Sequence, residues 1–238
     1  MQFFVFVLLI CLFIFLYCTY VLANDDFIFL RRDVTMERLF NIIFLGSLCC
    51  LFFARLFYGF SHAKNILLNP FVFLLFPYFP GLSMLGGVLG AGVTFLFLAT
   101  RKNNTLPLGR MADFFSIAFL ITLPIGFLGY FMFSEEGFPV AKAGSLVITY
   151  LILFVVSLRF LLPQLLNGKL KEGTIAISIL ICFCVVSLIS NALPKINVLD
   201  FFKNFENLIL LTTLIASSVL LIKQENLLSK IKKKRVLN

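Results

Sequence analysis

Long apolar runs alternate with short polar connectors along the whole chain. A helix needs about 20 mostly apolar residues to cross the hydrocarbon core of a bilayer. Runs of that length predict helices near 3–23, 39–60, 71–99, 112–133, 143–163, 174–194 and 205–222. The third run is too long for one span and contains Pro77 and Pro80. Proline lacks an amide donor, and its ring clashes with the preceding turn. Residues 66–80 are therefore expected as a short half-helix or re-entrant piece ahead of a main span at 82–99. Broken backbone at membrane depth is tolerated only where protein or a polar cavity covers it, which predicts a cavity beside Gly81. The first run reads as a span and not as a signal peptide: it has no basic n-region and is too long for an h-region.

Composition narrows the class. Of 238 residues, 61% are hydrophobic and 13% charged, against the 45–50% and about 25% of an ordinary soluble domain. A water-soluble single core and a disordered chain are both excluded. Roughly 145 apolar side chains at about 20 per span again give about seven spans. The expected fold class is an all-α, polytopic membrane protein with seven transmembrane helices. The whole chain, 1–238, forms a single integral membrane domain that ends in a basic tail at 223–238.

The formal charge of +9 reads as basic loops meeting anionic headgroups, not as a nucleic-acid surface. The connectors are short enough for the positive-inside rule to set orientation. One side carries Arg31, Arg32, Arg38, Arg101, Lys102, Arg110, Lys169, Lys171, Lys223, Lys230, Lys232, Lys233, Lys234 and Arg235; the other has Lys64, Lys142, Lys195 and Lys203. This imbalance predicts an N-terminus outside and a cytoplasmic C-terminus. Cys11, Cys18, Cys49, Cys50, Cys182 and Cys184 all lie in apolar runs, and His62 is the one histidine. That pattern supports neither a metal site nor a disulfide framework, and no cofactor is expected.

Ionisable groups within spans cost several kcal/mol and are functional candidates by default. Arg55, in FFARLFYGF, is the clearest. Its guanidinium fork suits phosphate, against a rival role as an anchor snorkelling to headgroups. Glycines 81, 86, 87, 90 and 92 form a small-residue segment, with Gly86 and Gly90 in GxxxG spacing. Such residues let helix backbones approach closely, or leave room for a lipid headgroup. In PIGFLGYFMFSEEG, Gly126 and Gly129 again allow close packing, and Glu135 and Glu136 follow at the interface. His62 reads as a polar loop residue. Asp113 reads as an acid near a helix N-terminus, favoured by the dipole.

Taken together these segments resemble the prolipoprotein diacylglyceryl transferase family. Its members carry an arginine segment like GARLFYV, then GGxSFHGGLxG, then LRxADxxxPxxxxGxAIGRxGNFxNGE. This chain has ARLFYGF at 54–60, Asn69-Pro70, PGLSMLGGVLGAG at 80–92, and LPLGRMADFFSIAFLITLPIGFLGYFMFSEEG at 106–137. From Asp113 to Glu135 the family pattern lays on without a gap. The resemblance covers roughly 37–137 and thins beyond, where NGKLKEGTIAISI and FENLILLTTLIASS resemble the last two family helices. The departures fall on polar positions. The family's SFHGG histidine falls on Leu85, its GRxGN arginine on Phe127, and the two asparagines of that segment on Tyr130 and Phe133. The late YGxxRFxxEF signature has no clear counterpart.

The resemblance implies seven spans with an outside N-terminus in a bacterial plasma (inner) membrane. It implies transfer of a diacylglyceryl group from phosphatidylglycerol to the cysteine thiol of a lipoprotein precursor, in a site that has departed from the family pattern. Within it, Glu135 is the expected catalytic residue, and Arg55, Gly86, Gly87, Gly126 and Gly129 are the expected phospholipid-binding residues. The alternatives are a non-catalytic phospholipid- or lipopeptide-binding membrane protein and a small lipid transporter or flippase.

Overall fold

A computed structural model describes residues 2–24, 26–32, 34–61, 70–74, 81–100, 106–133, 140–192, 201 and 204–225. Helices account for nearly all of them, and no strand occurs among the described residues. In chain order the helices are α1 (Gln2–Asn24), α2 (Phe27–Arg31), α3 (Met36–Ser61), α4 (Pro70–Leu74), α5 (Met84–Thr100), α6 (Leu108–Phe133) and α7 (Val140–Val156). A π-turn (Ser157–Leu161) joins α7 to α8 (Leu162–Leu166), and α9 (Thr174–Ala192) and α10 (Phe205–Gln224) follow. Among the described residues six helices are long and apolar enough to cross a membrane, counting α7 to α8 as one. The seventh, α5, has 17 residues, about 25 Å at 1.5 Å per residue.

Several ends are set by local chemistry. The Asp26 carboxylate caps α2 by accepting from the amides of Ile28 and Phe29, satisfying donors that a helix start leaves orphaned. Ser83 does the same for α5, its hydroxyl accepting from the Gly86 amide. Asn204 caps α10 through the Glu206 amide. The expected break ahead of the third main span is present: α4 is a short helix, and the main helix begins only at Met84. Pro77 and Pro80 lie outside the described residues. α6 starts at Leu108, earlier than the expected residue 112, which moves Asp113 beyond its first turn.

The chain divides into two compact units, Met1–Leu108 with Ala118–Leu151, and Gly109–Ile117 with Ile152–Asn238. In the first, α3 and α5 form the most extensive helix pair. Bilayer lipid is as apolar as leucine, so close backbone approach drives such pairs more than apolar burial does. Gly86 and Gly90 supply that approach. A Cβ on Gly86 would lie 2.5 Å from the Phe53 carbonyl oxygen, and one on Gly90 would lie 2.8 Å from that of Cys49. Gly129 is covered by the Val7 side chain. Gly126, expected to pack closely too, has nothing within 4 Å of a Cβ.

In the second unit α9 and α10 form an antiparallel hairpin with three polar rungs in one register. Asn191 Nδ2 donates to Asn207 Oδ1 at 2.9 Å. Cys184 Sγ meets Thr213 Oγ1 at 3.3 Å, and Thr174 Oγ1 donates to Glu225 Oε1 at 2.8 Å. Asn207 is fully buried and also donates to the Phe201 carbonyl.

Candidate functional site

Arg55 lies on the face of α3 that meets α5, and it is buried, with 2% of its surface exposed. Its Nη1 donates to the Gly81 carbonyl at 2.8 Å and its Nη2 to the Val72 carbonyl at 2.9 Å. The guanidinium thus holds α4 and the start of the α5 segment, on either side of the proline-containing stretch. The neighbouring backbone joins in, the Ser83 amide donating to the Ala54 carbonyl at 3.0 Å. Gly81 has φ of 134°, and a Cβ there would run into the Tyr58 ring. Both facts require glycine.

This arrangement excludes the snorkelling anchor, whose guanidinium would be exposed. It also leaves the cation partly satisfied. A guanidinium has five N–H donors. Among the described residues two are committed to carbonyls, and Nε is buried without a hydrogen-bond partner. Carbonyl oxygens solvate the cation without neutralising it. A buried positive charge of this kind favours an anion.

The remaining sequence-level candidates fall unevenly around Arg55. Gly86 is buried at the α3–α5 seam, between the backbones of Phe53 and Ala54. Gly87 has a looser fit, 3.9 Å from the Ala54 Cβ. Gly126 and Gly129 lie on α6. Glu135 lies outside the described residues, as do Glu136 and His62. Three of the four departures have described side chains. Leu85 is buried. Phe127 stacks on Tyr150 with ring centroids 5.8 Å apart and planes 12° apart. Tyr130 is exposed.

A second polar cluster lies wholly in the other unit and was not legible from sequence. Asp113 is fully buried. Its carboxylate accepts from the amides of Gly173 at 2.7 Å and Ala176 at 2.8 Å. Asp113 therefore serves the N-terminus of α9 and not that of its own helix, which corrects the sequence reading. The physics is the same, an anion at orphaned helix amides, but the helix is a different one. Gly173 reaches the carboxylate with φ of 89°. Arg110 is buried nearby, with Nη1 donating to the Leu165 carbonyl at 3.2 Å and its guanidinium 5.6 Å from the Phe114 ring centre. Glu225 accepts from the Lys171 amide at 3.0 Å. Gln224 donates to the Glu172 carbonyl, and Lys171 Nζ to the Gln224 carbonyl. The signals in sequence were an acid inside an apolar run and a glycine just before one; their pairing needed the fold.

The comparisons with curated proteins and with solved structures return no match. The family model for prolipoprotein diacylglyceryl transferase matches residues 2–139. That stretch carries Arg55, the α5 glycines and the whole of α6, so the chain belongs to the prolipoprotein diacylglyceryl transferase family.

Proposed function

We propose that this chain moves a diacylglyceryl group from phosphatidylglycerol to the cysteine thiol of a lipoprotein precursor, in a bacterial inner membrane with the N-terminus outside. Family membership supports the reaction class. The observation that carries the assignment in this chain is the buried Arg55 guanidinium, which among the described residues has donors left over after it has bound Gly81 and Val72. In the reaction the thiol sulfur bonds to the glyceryl carbon that bears the phosphate. The carbon–oxygen bond to phosphate breaks, and glycerol phosphate leaves with the electron pair. The thiolate is the reactive form, and Glu135 takes its proton. Arg55 binds the phosphate and stabilises the charge that grows on it. Gly86 and Gly87 let α5 lie close enough to α3 to wall this site, Gly126 keeps the α6 face small beside the lipid, and Gly129 lets α6 take the Val7 side chain of α1 against its backbone.

A second reading has its own support. Leu85 and Phe127, the latter stacked on Tyr150, occupy positions where the family pattern is polar, which favours a member that binds phospholipid without transferring it. The chain is expressed in membranes depleted of native transferase and supplied with a lipobox peptide. The expected result is a diacylglyceryl mass gain on the peptide cysteine, abolished by Arg55→Ala and only partly kept by Arg55→Lys, since an ammonium lacks the fork. A folded protein that retains phosphatidylglycerol in native mass measurements but lipidates nothing would overturn the first reading in favour of the second. A reporter fused at Asn238 is expected to show a cytoplasmic C-terminus.

A further inference from the structure

The second unit sorts its charges. Its described charged residues that are exposed are all cations: Arg159, Lys169, Lys171 and Lys223. Its described acids are turned inward. Asp113 and Glu225 are buried on amides and Thr174, while Glu172 and Glu206 are half-buried. The three lysines lie at one end of the α9–α10 hairpin. The loop before α9 and the last turn of α10 are joined there by Lys171 to Glu225 and by Gln224 to Glu172. Glu206 belongs to the first turn of α10, at the other end.

Arg159 differs from the lysines because it lies inside an apolar span, Ala143–Leu166. It precedes the helix end at Leu166 by about 10 Å at 1.5 Å per residue. The backbone explains its direction. Pro163 has no amide to give the preceding turn, and the helix passes through a π-turn in which the Leu162 amide bonds to the Ser157 carbonyl. Such turns re-aim side chains and recur at functional sites. Here Ser157 is buried and Arg159 is exposed. Its exposed neighbours Val155, Val156 and Phe160 are apolar, and it makes no hydrogen bond or ion pair among the described residues.

We propose that Arg159 holds the phosphate of a net-anionic phospholipid in the leaflet bordered by Lys169, Lys171 and Lys223, at a site separate from Arg55. A guanidinium on the lipid side of an apolar span is stabilised when its stem lies along apolar surface and its head reaches a phosphate. The lysine rim selects among lipids: it attracts an anionic headgroup and repels the ammonium of a zwitterionic one. The site lies in α7 to α10, beyond the residues 2–139 matched by the family model. It does not depend on the transferase reading.

The chain has no tryptophan, so Phe160→Trp places a single indole beside Arg159. The protein is reconstituted in phosphatidylcholine vesicles containing equal mole fractions of either brominated phosphatidylglycerol or brominated phosphatidylcholine. Brominated phosphatidylglycerol should quench more strongly, with a local enrichment of roughly fivefold, as expected for one cation near a charged surface. Adding Arg159→Ala should cut the enrichment to the smaller part that the lysine rim supplies, and Arg159→Lys should keep more of it. Arg55→Ala in the same background should leave the preference intact. Equal quenching by both lipids in the Phe160→Trp protein would overturn the proposal, as would a preference that Arg159→Ala leaves undiminished or that disappears with Arg55→Ala. If Phe160→Trp does not fold, Val156→Trp gives the same readout.

Discussion

Replacing Gly86 by alanine tests the α3–α5 seam with one methyl group. That methyl would lie 2.5 Å from the Phe53 carbonyl oxygen, 2.7 Å from the Phe57 Cβ and 2.9 Å from the Ala54 Cα. Two of these are backbone atoms and the third is a Cβ, so no flexible side-chain end can move aside. The helices must separate instead, and overpacking of this kind costs about 1–3 kcal/mol. Against it stands a gain of about 1 kcal/mol for alanine over glycine in a helix. Gly92→Ala has the same helix gain and no clash, since nothing lies within 4 Å of its Cβ. The difference between the two variants isolates the seam, about 1–3 kcal/mol. At about 2–4 °C per kcal/mol for a chain of this size, Gly86→Ala should melt roughly 2–12 °C below Gly92→Ala. Thermal unfolding in detergent with a thiol-reactive dye reads this directly, because the described cysteines are free and Cys49 and Cys50 lie on α3 at the seam. Gly90→Ala, whose methyl would meet the Cys49 carbonyl oxygen at 2.8 Å, should behave like Gly86→Ala. Equal melting of Gly86→Ala and Gly92→Ala would refute the close packing of these helices.

Asp113→Ala orphans the buried amide of Gly173 and the half-buried amide of Ala176, at about 1–3 kcal/mol for the buried one and less for the other; Asp113→Asn should cost less, and hydrogen exchange at those two amides should quicken in the same order. Gly173→Ala meets both φ of 89° and Gln224 Nε2 at 3.2 Å from the new Cβ, so a loss of roughly 1–2 kcal/mol is expected from the left-handed backbone, measured by the same dye assay. Asn207→Leu removes the Asn191 rung and the bond to the Phe201 carbonyl, with an expected cost of about 0.6 kcal/mol for each in a bilayer setting; a double-mutant cycle with Asn191→Leu should show coupling that isolates the rung, and additive effects would mean that the rung contributes nothing.

The helical, membrane-spanning class was legible because it follows from run length and the absence of charge, both properties of the chain itself. The break ahead of α5 was legible for a similar reason: proline and glycine act on their own backbone whatever surrounds them. Arg55 stood out in sequence as a charge in an apolar run. Its partners did not, because the Gly81 and Val72 carbonyls belong to backbone, which every residue has and no sequence marks. Glycine spacing suggested close packing at both 86/90 and 126/129, yet a Cβ at Gly126 meets nothing. Spacing names a smooth helix face but not what lies against it. Asp113 shows the division most plainly. Its sequence position suggested the dipole of its own helix, whereas the fold sets it against the amides of Gly173 and Ala176, sixty and sixty-three residues away. The sequence by itself determined that the chain is built of apolar helices of bilayer length and that one of them is broken, since those depend on local torsions and transfer free energies. Only the tertiary structure decided which carbonyls surround Arg55, which amides take the carboxylate of Asp113, and that Arg159 faces outward, since each depends on the meeting or rotation of whole helices.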